Sequence, residues 1–414
     1  MWRRNQLRFL RPSEVCMHNS RVLIVGAGVA GTTLAYWLAR RGFSPTVVER
    51  AETIRTGGQA IDLHGKALHV VTQMGLLERV RAAETGIQGM DLVDATGKAL
   101  ARTTAFTLTG GPMDSDDIEL MRSDLVNILL AESRPGVEYI FGDRLVDLAD
   151  TGSGVSVTFG SDTVREFDLV LGADGLRSTT RRLAFDPGSY RVHRLGRYIA
   201  IGTIPNFLGY DRWETFYSGG PDRRLCYFSG RSATRVMFTK NAPGLDIEHS
   251  DEDDLRQLLR RDFTGDGWQT PRLLDEITGT QDFYFDDLRQ VYMDRWHRDR
   301  VALVGDASHC ASPASGLGTS MAIVGAYVLA GELEAAQGDY SNAFPRYEQR
   351  MRPFVAACQT RARAGGNLYI SPAKFWLQRQ QIRLSNVSVI RKAMAHKAAG
   401  DKARIADSIE VPAY

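Results

Sequence analysis

The sequence predicts an α/β fold: a parallel sheet flanked by helices, with an inserted antiparallel-sheet domain and a C-terminal helix. Three observations predict it. Residues 21–50, RVLIVGAGVAGTTLAYWLARRGFSPTVVER, read as strand, glycine turn, helix and strand. Two later apolar runs, at Leu169–Leu171 and Val301–Val304, end in Gly172 and in Gly305-Asp306. Between about Tyr190 and Phe285 the pattern becomes short aromatic-rich strands of period two, such as RYIAIGTIP, WETFYSGG, RLCYFSG and RVMFTK, as expected of a sheet covered on one face.

The elements follow in chain order. Residues 1–19 carry Arg3, Arg4, Arg8 and Arg11 but no apolar core of signal-peptide length, and read as a tail. Val22–Val25 is an apolar run typical of a strand buried on both faces. Gly26, Gly28 and Gly31 then follow at G-x-G-x-x-G spacing. The first glycine allows a tight turn, the second a close approach of pyrophosphate, the third the packing of the helix from about Val29 to Arg41. That helix start offers free N–H groups and a positive dipole end to phosphate. The second strand ends on Glu49, 18 residues after Gly31, followed by Arg50. A carboxylate at that distance accepts ribose hydroxyls and repels a 2′-phosphate. The unit is Rossmann-like and predicts a bound dinucleotide.

Arg122 opens a helix whose Leu125, Ile128 and Leu129 form one apolar face, where its guanidinium reaches a diphosphate. The segment FDLVLGADGLRSTTRR places Asp174-Gly175 after a buried strand. Asp306 ends another strand, and a loop with Pro313, Gly316 and Gly318 leads into an apolar helix.

Taken together, these motifs resemble the class A flavoprotein monooxygenases, the aromatic hydroxylase family. The resemblance runs from about Arg21 to Arg350. It implies bound FAD, with adenosine at Glu49, Arg122 on the FAD and the ribityl chain near Asp306. The segment RTGGQAIDLHG, with Arg55, Gly57-Gly58 and Asp62-Leu63-His64, is similar to the tetracycline-inactivating monooxygenases and the short polyketide hydroxylases. That likeness puts Asp62 beside the flavin and Arg55 where NADPH docks. Ser320 stands where the family often has Asn, and Gly325 where it often has an acid. His309 reads as structural.

No second glycine fingerprint follows a strand, so NADPH or NADH is expected to visit, deliver hydride and leave. The domain reading is residues 20–80, 105–187 and 286–355 for an FAD-binding domain, 81–104 and 188–285 for a substrate domain, and 366–410 for a C-terminal helical segment. Phe216, Tyr227, Met237 and Phe375 are candidates for the substrate pocket, with Trp376 and Ile382 closing it. Arg223, Arg224, Arg231 and Arg235 read as solvated.

A net charge of +2 argues against nucleic acid. The longest apolar run, Met321–Ala330, spans roughly 15 Å as a helix, too short for a bilayer. Cys16, Cys226, Cys310 and Cys358 have neither metal-ligand nor redox-motif spacing, which suits a reducing cytoplasm. The function expected is an NAD(P)H- and oxygen-dependent flavoprotein monooxygenase that hydroxylates, or oxidises in Baeyer–Villiger fashion, a bulky aromatic or polyketide-like small molecule. A monomer or homodimer is expected. The alternatives are an FAD-dependent reductase or dehydrogenase, or a non-catalytic FAD- or drug-binding protein.

Overall fold

The computed structural model describes residues 17–54, 59–364, 371–386 and 401–414. Arg55, Gly57 and Gly58, with most of the basic tail, lie outside the described residues. Six strands make the first sheet, in the order His297–Arg298, Val301–Leu303, Leu169–Gly172, Arg21–Val25, Ser44–Glu49, Glu138–Phe141. All its pairings are parallel except the one between His297–Arg298 and Val301–Leu303. Val22, Leu23 and Ile24 are wholly buried, which is why the run contains no polar residue. The helices Val29–Arg40 and Gly318–Ala335 pack against each other beside this sheet. Gly325 sits where a Cβ would lie 3.3 Å from the flexible end of Met351 and 3.5 Å from Val304, so a side chain there requires Met351 to give way.

The second sheet has seven strands, in the order Tyr284–Met293, Tyr190–Ile204, Thr234–Asn241, Arg223–Ser229, Trp213–Tyr217, Met90–Val93, Ala99–Thr103. Its pairings are antiparallel except for a parallel one between Trp213–Tyr217 and Met90–Val93. The strand Tyr284–Met293 is thus an edge of this sheet, although most of it was assigned by sequence to the other domain.

Strand pleating decides which side chains meet. Ile201, Met237, Cys226, Phe216 and Leu92 are paired in one row across five strands and share a face. Their chain neighbours Tyr217, Tyr227 and Phe238 point the other way, into a core made with the helices Glu252–Phe263 and Thr270–Gly279. The helix Pro372–Leu384 covers the end of the first face near Ala99–Thr103, with Ile382 buried and Phe375 half-buried. Trp376 is 58% exposed and closes nothing.

The arginines differ from the expectation of a solvated set. Arg235 is buried and lies 3.5 Å from Asp282, and Arg223 is held at 2.6 Å by Asp266. Both carboxylates come from loops, Asp266 after the helix Glu252–Phe263 and Asp282 after the helix Thr270–Gly279, and they offset the burial of the two arginines.

Candidate functional site

The glycine turn shapes a cleft of about 180 Å³, lined by Gly26, Gly28, Glu49, Arg50, Arg122, Asp174 and Gly175 among others. Gly26 has φ +103°, and a Cβ there would lie 2.7 Å from the Ala173 carbonyl. Gly31 carries the helix against the turn, since a Cβ would lie 1.9 Å from the Gly26 carbonyl oxygen. The carboxylate of Glu49 accepts from the Ala27 N–H at 2.9 Å and the Ala51 N–H at 3.0 Å. These bonds fix the acid at the rim while each oxygen keeps a further lone pair.

Arg122 reaches across the cleft, its Nη2 lying 3.8 Å from where a side chain at Gly28 would begin. Its guanidinium has no hydrogen-bond or ion-pair partner among the described residues. The helix start at Gly28 has no side-chain cap. An unpartnered guanidinium facing uncapped N–H groups across a glycine floor fits a diphosphate.

Asp306 begins a short helical turn, Asp306–His309. Its side chain is exposed, yet the surrounding protein disfavours the charged form and raises its pKa, a rise that the Cys310 thiol and the Arg122 charge oppose. Asp174 is used differently. Its oxygens accept from Ser178 Oγ at 2.5 Å and from Thr180 N and Oγ1 at 2.9 and 3.0 Å. The carboxylate ties its own loop, and the loop backbone faces the cleft. Sequence reading missed Arg181, a buried arginine that donates to the carbonyls of Ala307 and Leu176, both at 2.6 Å. It staples the Asp174 loop to the Asp306 turn, and its only sequence signal is the basic run RSTTRR. His309 is buried against Trp296 and Tyr347, and burial pushes its pKa down to about 3. It is a neutral packing residue.

Beyond Asp306 the helix Gly318–Ala335 begins, with open space above Gly318. Ser320 Oγ accepts from the His64 N–H at 3.2 Å, joining this helix to the strand Ala60–Leu63. Ala314, in the loop before the helix, packs with Ile199, Ile201, Leu288 and Met237. The two sheets therefore meet at this loop. Phe216 and Phe375 join Met237 on that side, whereas Tyr227 lies in the opposite core with its hydroxyl bonded to Asn206 at 2.8 Å.

A buried polar cluster surrounds Asp62. His64 Nδ1 is 2.8 Å from Asp117 and Nε2 is 3.5 Å from Asp62, while Lys402 Nζ is 2.9 Å from Asp62. Burial disfavours the charged ring of His64, but the bonds to Asp117 and Asp62 outweigh it and raise its pKa. Glu119 is pushed up to about 8, first by burial and then by the Asp62 charge, with Thr85, Lys402 and Thr109 opposing. Burial likewise raises Glu214, which is helped by the Glu119 charge and takes a hydrogen bond from Thr109.

A carboxyl raised from 4.5 to about 8 binds its proton more tightly in the folded chain. Its contribution to stability is complete below pH 4.5 and declines as pH rises towards about 8. Glu119→Gln is therefore expected to flatten the fall of Tm between pH 5 and pH 8, read by thermal melts. An unchanged slope would count against a protonated Glu119.

Residues 19–362 match the family described as FAD binding domain. The Mycobacterium tuberculosis protein Rv1260 is 48% identical over 339 residues, covering 81% of this chain and 90% of the relative. A flavin-dependent monooxygenase of Legionella longbeachae is 37% identical over 344 residues, covering 82% and 87% respectively. The crystal structure of tetracycline destructase Tet(55) matches with a TM-score of 0.82 at 34% identity, covering 96% of this chain and 99% of that one.

Proposed function

The chain belongs to the FAD binding domain family and is a flavin-dependent monooxygenase, and we propose that it uses NADPH or NADH with oxygen to oxidise a bulky aromatic or polyketide-like molecule. The observation that carries the substrate class is the apolar row Phe216, Met237 and Ile201, which approaches the cofactor side at Ala314. A flat, largely apolar molecule is buried there at about 25 cal/mol per Å². The Tet(55) title names a tetracycline destructase, and tetracycline-like polyketides belong in the first substrate panel.

Bound FAD supplies the redox chemistry, taking up hydride and activating oxygen, which no side chain here can do. The chain's own residues bind and orient. Arg122 and the N–H groups after Gly28 would hold the pyrophosphate, Glu49 with Arg50 beside it the adenosine end, and Asp306 the ribityl hydroxyls. Gly318 and Asp62 would lie towards the ring end. Asp174 acts by holding its loop. The apolar sheet face excludes water from the reacting atoms. The reading includes a cytoplasmic monomer or homodimer, in keeping with the buried free thiols of Cys226, Cys310 and Cys358. Among the described residues no helix is long and apolar enough to cross a membrane.

The test is a panel of aromatic polyketides, tetracycline included, scored for substrate-dependent NADPH oxidation, oxygen uptake and a product gaining one oxygen atom. Substrate-dependent NADPH consumption that gives a reduced product with no oxygen uptake makes the protein a reductase and overturns the reading.

Arg55 is proposed to dock the nicotinamide cofactor. Arg55→Ala is expected to raise the apparent Kd for NADPH about tenfold, the loss of one charge-assisted hydrogen bond, at unchanged FAD content. Anaerobic stopped-flow reduction over a range of NADPH concentrations measures it. A change of less than about twofold removes Arg55 from this role.

A further inference from the structure

The C-terminal segment enters the FAD-binding unit from far along the chain. Ala406 and Ile409 are buried in its core, and Tyr414 packs on Tyr327 and donates to Glu332 at 2.8 Å. Asp407 and Ala406 fit against Gly65, where a side chain would clash at 2.6 and 3.0 Å. These anchors deliver Lys402 between two parts of the site. Its Nζ is 2.9 Å from Asp62 and 3.2 Å from where a side chain at Gly316 would begin. Gly316 lies in the loop whose Ala314 packs with the substrate-side face. On the FAD reading above, the reacting ring would lie where cofactor and substrate meet, which puts Lys402 towards the ring end.

We propose that Lys402 sets the electrostatic field at the ring end of the FAD site, compensating Asp62 so that bound FAD accepts hydride readily. The proposal rests on the FAD reading above. Hydride transfer from NADPH carries two electrons and one proton, leaves NADP⁺, and adds one negative charge to the flavin ring. A fixed cation favours that product, and an uncompensated carboxylate opposes it. Asp62, His64, Asp117 and Glu119 are the titratable groups around the ammonium. Lys402 is 14% exposed and Asp62 11%, so solvent screens the pair little.

The experiment measures the two-electron reduction equilibrium of bound FAD against a reference dye, on purified holoprotein. Lys402→Met is expected to shift it towards oxidised FAD by about tenfold or more, equivalent to about 30 mV. Lys402→Arg keeps the charge and stays within about threefold of wild type. Asp62→Asn shifts it the opposite way, which keeps the proposal testable if Lys402→Met folds poorly. A mere staple for the C-terminal segment would lower Tm while leaving the equilibrium in place. A Lys402→Met equilibrium within about threefold of wild type, or an Asp62→Asn shift in the same direction as Lys402→Met, overturns the proposal. A wild-type protein that binds no FAD overturns the FAD reading instead.

Discussion

Gly31→Ala is expected to yield a protein without FAD. The added Cβ would lie 1.9 Å from the Gly26 carbonyl oxygen and 3.0 Å from its carbon. Both atoms are backbone, in a turn held by the bond from Gly26 N–H to the Val48 carbonyl at 2.8 Å. Neither side can give, so the helix Val29–Arg40 must move away from the strand. Such overpacking costs about 3 kcal/mol. The N–H groups meant for the pyrophosphate then no longer face the cleft. Flavin absorbance per polypeptide and an FAD titration read the outcome, and a variant with normal FAD content would refute the argument. Gly28→Ala is the informative contrast. The nearest atom to its Cβ is the tip of Arg122, at 3.8 Å. Its fold should survive while the new methyl group occupies cofactor space, so FAD affinity falls at nearly constant Tm.

Arg122→Ala is expected to weaken FAD binding by about 10- to 150-fold, corresponding to roughly 1.5–3 kcal/mol for hydrogen bonds to a charged group. The guanidinium has no protein partner among the described residues to lose, so the apoprotein should melt at or slightly above the wild-type temperature. That combination distinguishes a ligand contact from a structural one. Arg122→Lys should fall between, because an ammonium supplies charge without the planar fork. Equilibrium titration at two salt concentrations adds a check, since the Ala variant should show the weaker salt dependence. A fall in apoprotein Tm with unchanged FAD affinity would assign Arg122 to the scaffold.

What was legible in the sequence was local. The glycine turn, the buried strand before it and Glu49 after it all fall within residues 21–50, and each follows from backbone sterics or strand burial. The period-two aromatics announced the second sheet. They did not announce parity. Cys226 and Tyr227 are adjacent, one facing the cluster with Phe216 and Met90 and the other the helical core, and composition favoured the aromatic. Asp174 follows a strand in an Asp-Gly motif, but Ser178 and Thr180 downstream give its carboxylate nearer partners, which no spacing rule announces. The Asp62 cluster was legible only in part. Lys402 and Asp62 are separated by 340 positions, and Thr109 and Glu214 by 105. No spacing rule spans such distances. The burial of Arg235 was hidden for the same reason, since Asp282 comes from another part of the chain.

The pleat of the seven-stranded sheet also shapes how this protein can change. Ile201, Met237, Cys226 and Phe216 form one continuous row, yet each belongs to a different strand and is flanked in sequence by residues of the opposite core. Substitutions at those four positions change this face without touching Tyr217, Tyr227 or Phe238. Ile201, Cys226 and Phe216 are themselves buried, so a small combinatorial library confined to the row should keep to apolar residues of similar volume, and is expected to shift substrate preference if this face lines the substrate. The same number of random codons at the neighbouring positions should mostly return insoluble protein. The pleat thus lets the two sides of the sheet vary separately in sequence, since neighbouring codons serve opposite clusters.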